Sequence, residues 1–154
     1  MTTELNKKSE IHIGRAGELL ASGIIEALGY RTVLCQQASF DMLLMRNDDT
    51  HYRVEVKTTS KCNADPRRPS RLARRYSWNT ARGSGAKTKL DPNAVDLLCL
   101  VALDTRRCYF KPVFNHDVVR YNISLDKLLA VDEQAQLDEA LKQIDEWRLS
   151  CGVV

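Results

Sequence analysis

The segment Tyr52-Arg53-Val54-Glu55-Val56-Lys57 is the stretch that decides how this chain folds. Apolar and charged side chains alternate along it, which is the period of a β-strand with one buried face. Val54 and Val56 are therefore expected to point into a core. Glu55 and Lys57 are expected to share the opposite face, about 7 Å apart along the strand.

A hairpin partner for this strand is predicted immediately upstream. Residues 41–45 form a second apolar run, and the residues at 46–50 are typical of a turn. Asp41 begins the partner strand, so its carboxylate can lie across from that of Glu55. Two carboxylates at this separation can hold magnesium, which prefers oxygen ligands and usually takes one or two carboxylates. The backbone carbonyl of Val56 is a candidate for a further ligand.

Lys57 is the candidate for assisting the chemical step. Its ammonium group would lie beside an attacking water and would stabilise the charge that grows on a phosphate. A divalent metal lowers the pKa of water and polarises a phosphate, so Asp41, Glu55 and Lys57 suffice for phosphodiester hydrolysis with Mg²⁺ or Mn²⁺. The alternative is that Glu55 and Lys57 form an ordinary ion pair on the solvated face of a hairpin.

The remaining pattern predicts a mixed α/β fold with a central mixed sheet flanked by helices. Residues 1–12 are expected to be a loose lead-in, and residues 13–154 are expected to form one domain. The predicted elements are a helix at 13–28, strands at 31–35, 41–45, 51–59, 94–103 and 108–113, a short helix capped by Ser124, and a helix at 133–149. The strand at 94–103 is apolar throughout and is expected to be buried on both faces.

A basic segment follows the charged strand, and residues 60–90 are predicted to be a DNA-contacting insertion made mostly of exposed loop. From Lys57 to Lys89 the chain carries ten basic residues and one acid, whereas its net charge is only +3. Positive charge concentrated in one segment of the chain indicates a polyanionic partner. Besides Lys57, the basic residues are Lys61, Arg67, Arg68, Arg71, Arg74, Arg75, Arg82, Lys87 and Lys89. In the same segment, Tyr76 and Trp78 are candidates either for stacking on a base or for anchoring the loop on the sheet.

Composition narrows the class of protein further. A chain of 154 residues suits one domain, and no apolar run reaches the roughly 18 residues of a membrane span. The first ten residues are polar and do not resemble a signal peptide, so the protein is expected to be cytoplasmic. Five cysteines without a CxxC pair are expected to be small buried or semi-buried thiols and not a zinc site.

These motifs together resemble the PD-(D/E)XK nuclease superfamily. Segments 39–44 and 52–58 are similar to its paired active-site strands, and Gly14-Arg15-Ala16-Gly17-Glu18 is similar to the start of archaeal-type Holliday junction resolvases. The basic stretch followed by segments 95–101 and 109–113 resembles the group I intron-encoded homing endonucleases of this superfamily. The resemblance covers roughly residues 13 to 113. The proline of the motif's name is absent, because Phe40 precedes Asp41.

The resemblance implies a restriction-endonuclease-like core and an enzyme that hydrolyses DNA with Mg²⁺. Asp41, Glu55 and Lys57 would be its catalytic residues, and Glu18 would join the metal directly or through water. The substrate would be a duplex site for a homing-type enzyme or branched DNA for a resolvase. Cutting both strands would call for a homodimer or larger assembly, with the last helix as a candidate contact. The same residues are also compatible with a DNA-binding regulator without activity and with an RNA-directed nuclease.

Overall fold

The computed structural model describes residues 2–35, 39–64, 67, 74–83 and 86–152. It is a mixed α/β fold with a central mixed sheet flanked by helices, which confirms the predicted class. The elements are α1 (Thr2–Ala27), β1 (Arg31–Leu34), β2 (Met42–Met45), β3 (His51–Thr59), β4 (Asn63–Ala64), β5 (Arg74–Asn79), β6 (Leu97–Ala102), β7 (Arg107–Pro112), β8 (Arg120–Ser124), α2 (Leu125–Ala130) and α3 (Glu133–Ser150).

Helix α1 begins at Thr2, so the expectation that residues 1–12 form a loose lead-in is wrong. This segment lacks an apolar stripe and therefore gave no sign of packing. It is nevertheless rich in glutamate, lysine and other strong helix formers, and neither glycine nor proline interrupts it before Gly14. The helix that packs on the sheet from Ile13 onward therefore continues outward through the polar residues. Among the described residues, no helix is long and apolar enough to cross a membrane.

The main sheet has five strands in the order β1-β2-β3-β6-β7. Strands β3 and β6 run parallel, and the other neighbours are antiparallel. Every residue of β6 is buried, and its side chains alternate between two hydrophobic clusters. Cys99 and Val101 face α1 and α3, whereas Leu98 and Leu100 face the opposite layer. The prediction of a central strand buried on both faces is confirmed.

The opposite layer is a second sheet in the order β4-β5-β8, which the sequence pattern did not predict. Strand β5 lies inside the segment expected to be mostly exposed loop, at the place where a short strand over residues 76–79 was the one element that the sequence allowed. Its Tyr76 and Trp78 are buried and stack on each other with ring centroids 5.7 Å apart. The indole nitrogen of Trp78 donates to the carbonyl of Val101 at 2.9 Å. Both rings therefore anchor the basic segment to the sheet and are not available for stacking on a base.

A buried ion network fixes the start of the parallel pair β3–β6. The side chain of Asp96 is 1% exposed and accepts hydrogen bonds from the backbone N–H of Arg53 at 2.7 Å and its Nε at 2.9 Å. Arg148 of α3 lies 3.1 Å from the same carboxylate. Burial alone would raise the pKa of Asp96, but hydrogen bonds and charge from the two arginines hold it below its ordinary value.

Helix α3 covers the main sheet and closes its β7 edge. Leu137, Leu141 and Ile144 lie in the core, so this stripe is not an exposed oligomer contact as the sequence had allowed. The side chains of Glu133 and Gln136 accept hydrogen bonds from backbone N–H groups of β7, each at 2.8 Å. An otherwise open strand edge is thereby occupied by side chains of the same chain.

Candidate active site

The hairpin β2–β3 brings the two predicted acids together. Met42 is paired with Val54, and the backbone N–H of Asp41 donates to the carbonyl of Val54 at 2.9 Å. Asp41 lies one residue before β2, outside the regular ladder, and its side chain reaches the backbone N–H of Val56. The side chains of Asp41, Glu55 and Lys57 thereby line one cleft.

The Asp41 carboxylate is held in one orientation. Its Oδ2 accepts a hydrogen bond from the backbone N–H of Val56 at 2.7 Å. The pKa of Asp41 is raised to about 6: burial contributes most and the charges of Glu55 and Glu18 add to it, whereas the Val56 hydrogen bond and Lys57 oppose it. A carboxylate in these surroundings is short of positive charge, which is the condition that a divalent cation relieves.

Glu55 lies almost fully inside the protein, with 6% of its surface exposed. Its Oε1 is 2.9 Å from the ammonium nitrogen of Lys57, and its Oε2 is 2.7 Å from a guanidinium nitrogen of Arg82. The alternative of a solvated surface pair is therefore wrong, because Glu55 is buried and shared between two cations. Nothing in the sequence indicated the Arg82 contact, since 27 residues separate the two.

The backbone of Val56 presents its carbonyl beside the acids. In a β-strand the N–H and the C=O of one residue point to the same side, and the next residue points its own groups to the other side. Because the N–H of Val56 donates to Asp41, the carbonyl of Val56 is expected on that same side, beyond the last residue pair of β2 and β3. Two carboxylates and one backbone carbonyl form an oxygen set of the kind that magnesium takes together with water.

An open cleft of about 410 Å³ gives access to these groups. It lies between α1 and β3, and its lining includes Glu10, Gly14, Glu18, Asp41, Glu55, Lys57 and Ser60. Gly17 allows the close approach of the two elements, because a Cβ built on it would lie 1.8 Å from Oγ1 of Thr58. Glycine at this position therefore sets how near α1 comes to the acids.

Glu18 lines the same cleft but sits at its side. It forms an ion pair with Arg15, one helical turn earlier, at 3.2 Å. Across the part of the chain that the structure describes, no three His, Cys, Asp or Glu side chains lie close enough together to hold a metal ion. Glu18 is thus near the pair Asp41 and Glu55 without completing a cluster with it, and its support of a metal stays a prediction.

The other predicted basic residues differ in their surroundings. Arg68 and Arg71 lie outside the described residues. Arg82 contacts Glu55, and Lys89 is exposed and paired with Asp117. The remaining side chains are exposed: Lys61, Arg67, Arg74, Arg75 and Lys87.

The fold is similar to that of a bacterial homing endonuclease. The solved structure of that protein, I-Ssp6803I, superposes with a TM-score of 0.52 at 15% sequence identity, over 72% of this chain and 72% of the other. No protein-family model and no curated protein matches this sequence. At this identity the likeness shows a shared fold, and function has to be argued from the residues of the cleft.

Proposed function

We propose that the protein is a metal-dependent endonuclease of the PD-(D/E)XK type that hydrolyses phosphodiester bonds in duplex DNA. The observation that carries the proposal is the meeting of Asp41, Glu55 and Lys57 in the wall of one open cleft, with Asp41 bound to the Val56 N–H and Lys57 2.9 Å from Glu55. Mg²⁺ is the proposed cofactor, with Mn²⁺ able to replace it. Asp41, Glu55 and the carbonyl of Val56 would hold the ion.

A bound Mg²⁺ supplies Lewis acidity to the phosphate and lowers the pKa of water. The chain contributes orientation, since the Val56 N–H fixes the Asp41 carboxylate and Lys57 is held by Glu55. From this position the Lys57 ammonium can orient the attacking water and balance the negative charge of the phosphate. Glu18 would act from the α1 side of the cleft, through water.

The exposed basic residues give the proposed enzyme its affinity for DNA. Phosphate contacts by lysine and arginine dominate such affinity and make it fall with salt concentration. The likeness to a homing endonuclease favours a duplex substrate read as a sequence. Cutting both strands with a site of this size would require two copies of the chain, so we propose a homodimer or larger assembly.

The test is cleavage of supercoiled plasmid by purified protein with Mg²⁺, with Mn²⁺ or with EDTA. We expect cleavage only with metal, and a loss of at least roughly 100-fold in Lys57→Ala. The matched control is Lys142→Ala, which removes an exposed lysine from α3. Cleavage of four-way DNA junctions without cleavage of the plasmid would show instead that the protein is a junction resolvase. Salt-sensitive DNA binding without cleavage of either substrate would contradict the proposal and favour a DNA-binding regulator.

A further inference from the structure

Arg82 reaches the acids from a different part of the fold than Lys57. It follows β5 and pairs with Thr88 through two backbone hydrogen bonds of 2.9 and 3.0 Å. From this bridge the side chain reaches Glu55, where one guanidinium nitrogen lies 2.7 Å from Oε2. The side chain of Arg82 is 32% exposed, so part of it stays accessible to solvent while it contacts Glu55.

Both oxygens of Glu55 are therefore occupied by positive groups. Lys57 takes Oε1 and Arg82 takes Oε2, and the Glu55 side chain is only 8% exposed. A divalent cation that binds Glu55 must take the place of one of these groups. Lys57 stands two residues along the same strand and stays within reach of the site. Arg82 comes from a separate segment, so it is the group that can leave.

A guanidinium released from Glu55 has an obvious partner in the substrate. Its planar donors match two oxygens of a phosphate, and this geometry makes arginine a stronger phosphate ligand than a point charge. It would also be repelled by a doubly charged ion bound at the carboxylate that it had occupied. A bound cation would therefore favour release of Arg82 from Glu55, close to the place where the phosphate would bind.

We propose that Arg82 is a catalytic residue that exchanges Glu55 for the phosphate undergoing hydrolysis when the divalent cation binds. This inference rests on the proposed function. In the absence of DNA, Arg82 competes with the cation for Glu55 and so weakens its binding. In the presence of DNA, the phosphate accepts Arg82 and frees Glu55, so the cation and DNA strengthen each other's binding.

The experiment measures Mn²⁺ affinity by calorimetry without DNA, and single-turnover cleavage of plasmid at saturating Mn²⁺. In Arg82→Gln we expect Mn²⁺ to bind about tenfold more tightly, because a competing positive charge is gone. We expect cleavage to slow by about 100-fold, because a phosphate ligand is lost. Lys89→Gln is the matched control for affinity, since it removes an equal charge from the same segment, and its Mn²⁺ affinity should stay within about twofold.

Two results would overturn the inference while leaving the proposed function intact. One is a wild-type protein that binds Mn²⁺ and cleaves DNA, with an Arg82→Gln variant that binds Mn²⁺ no more tightly. The other is tighter Mn²⁺ binding in Arg82→Gln with unchanged cleavage. Arg82→Lys keeps the charge and covers the case in which Arg82→Gln fails to fold: its Mn²⁺ affinity should match wild type while cleavage slows. Wild-type protein that binds no Mn²⁺ would overturn the inference and the proposed function together.

Discussion

The contact between Gly17 and Thr58 makes a prediction that can be worked through from the coordinates. In Gly17→Ala the new Cβ would lie 1.8 Å from Oγ1 of Thr58 and 2.7 Å from its Cβ. Rotating the Thr58 side chain moves Oγ1 but leaves Cβ in place. Because ordinary contact begins at 3.4 Å, α1 and β3 must separate by about 0.7 Å, the difference between 3.4 and 2.7 Å.

Gly23 provides the matched comparison, because it lies in the same helix and a Cβ there meets nothing within 4 Å. Gly23→Ala should stabilise the protein by about 1 kcal/mol through helix propensity alone. Gly17→Ala gains the same propensity but adds overpacking, which costs about 1–3 kcal/mol. The free energies of unfolding of the two variants should therefore differ by roughly 2 kcal/mol, with Gly17→Ala the less stable.

Urea denaturation of the two variants, followed by circular dichroism, measures this difference. A double variant, Gly17→Ala with Thr58→Gly, lacks the Oγ1, Cβ and Cγ2 atoms of Thr58 that the new Cβ would meet. Adding Gly17→Ala to Thr58→Gly should therefore cost less stability than adding it to the wild-type protein. If Gly17→Ala proves as stable as Gly23→Ala, α1 does not pack as closely on β3 as the structure has it. The position of Glu18 beside the cleft would then be refuted too, because Glu18 follows Gly17 in the same helix.

Three further predictions concern other buried polar groups. Asp96→Asn should destabilise the protein by about 2 kcal/mol in urea denaturation, because its two half-buried arginine partners lose the charge that their hydrogen bonds are made to. The pKa of Asp96 is lowered in the folded protein, so the stability that its ionised form contributes should be lost as the pH falls below the ordinary pKa of aspartate. The stability of Asp96→Asn should therefore fall less steeply with pH over that range than the stability of the wild-type protein. Trp78→Phe removes the indole hydrogen bond to the carbonyl of Val101 and part of a buried ring, and we expect a cost of about 1–3 kcal/mol by thermal unfolding. Asp41→Asn should raise the melting temperature of the metal-free protein, because it removes a charge that burial and two neighbouring acids disfavour. The variant should also lose the rise in melting temperature that Mn²⁺ is expected to produce in the wild-type protein. A lower melting temperature of the metal-free variant would instead indicate that Asp41 has a structural role.

The elements that could be predicted from the sequence are those with strong local patterns. The alternation of apolar and charged side chains from Tyr52 to Lys57 predicted β3, and the turn residues before it predicted the hairpin. The hairpin also brought Asp41 to the same cleft as Glu55, because the length of the turn fixes which residues of the two strands are neighbours. The continuous apolar run around Leu97–Ala102 likewise predicted a strand buried on both faces.

The parts that escaped prediction depend on contacts between distant segments. Strand β8 has no clear alternation, and β4 is only two residues long, so neither shows itself without its β5 partner. The role of Tyr76 and Trp78 stayed open because stacking on a base and packing on a sheet require the same residues. The contact of Arg82 with Glu55 depends on how the second sheet packs on the first, which no local pattern encodes.

The energetics of the cleft argue that its charges are there for chemistry and not for stability. A buried ion pair can often be replaced by apolar side chains without loss of stability, so Glu55 between two cations is an inefficient way to stabilise β3. Asp41 lies where burial disfavours its ionised form, which makes it a further burden on the fold. Both acids face an open cleft. Groups that weaken the fold at an accessible point are what the proposed hydrolysis of DNA would require there.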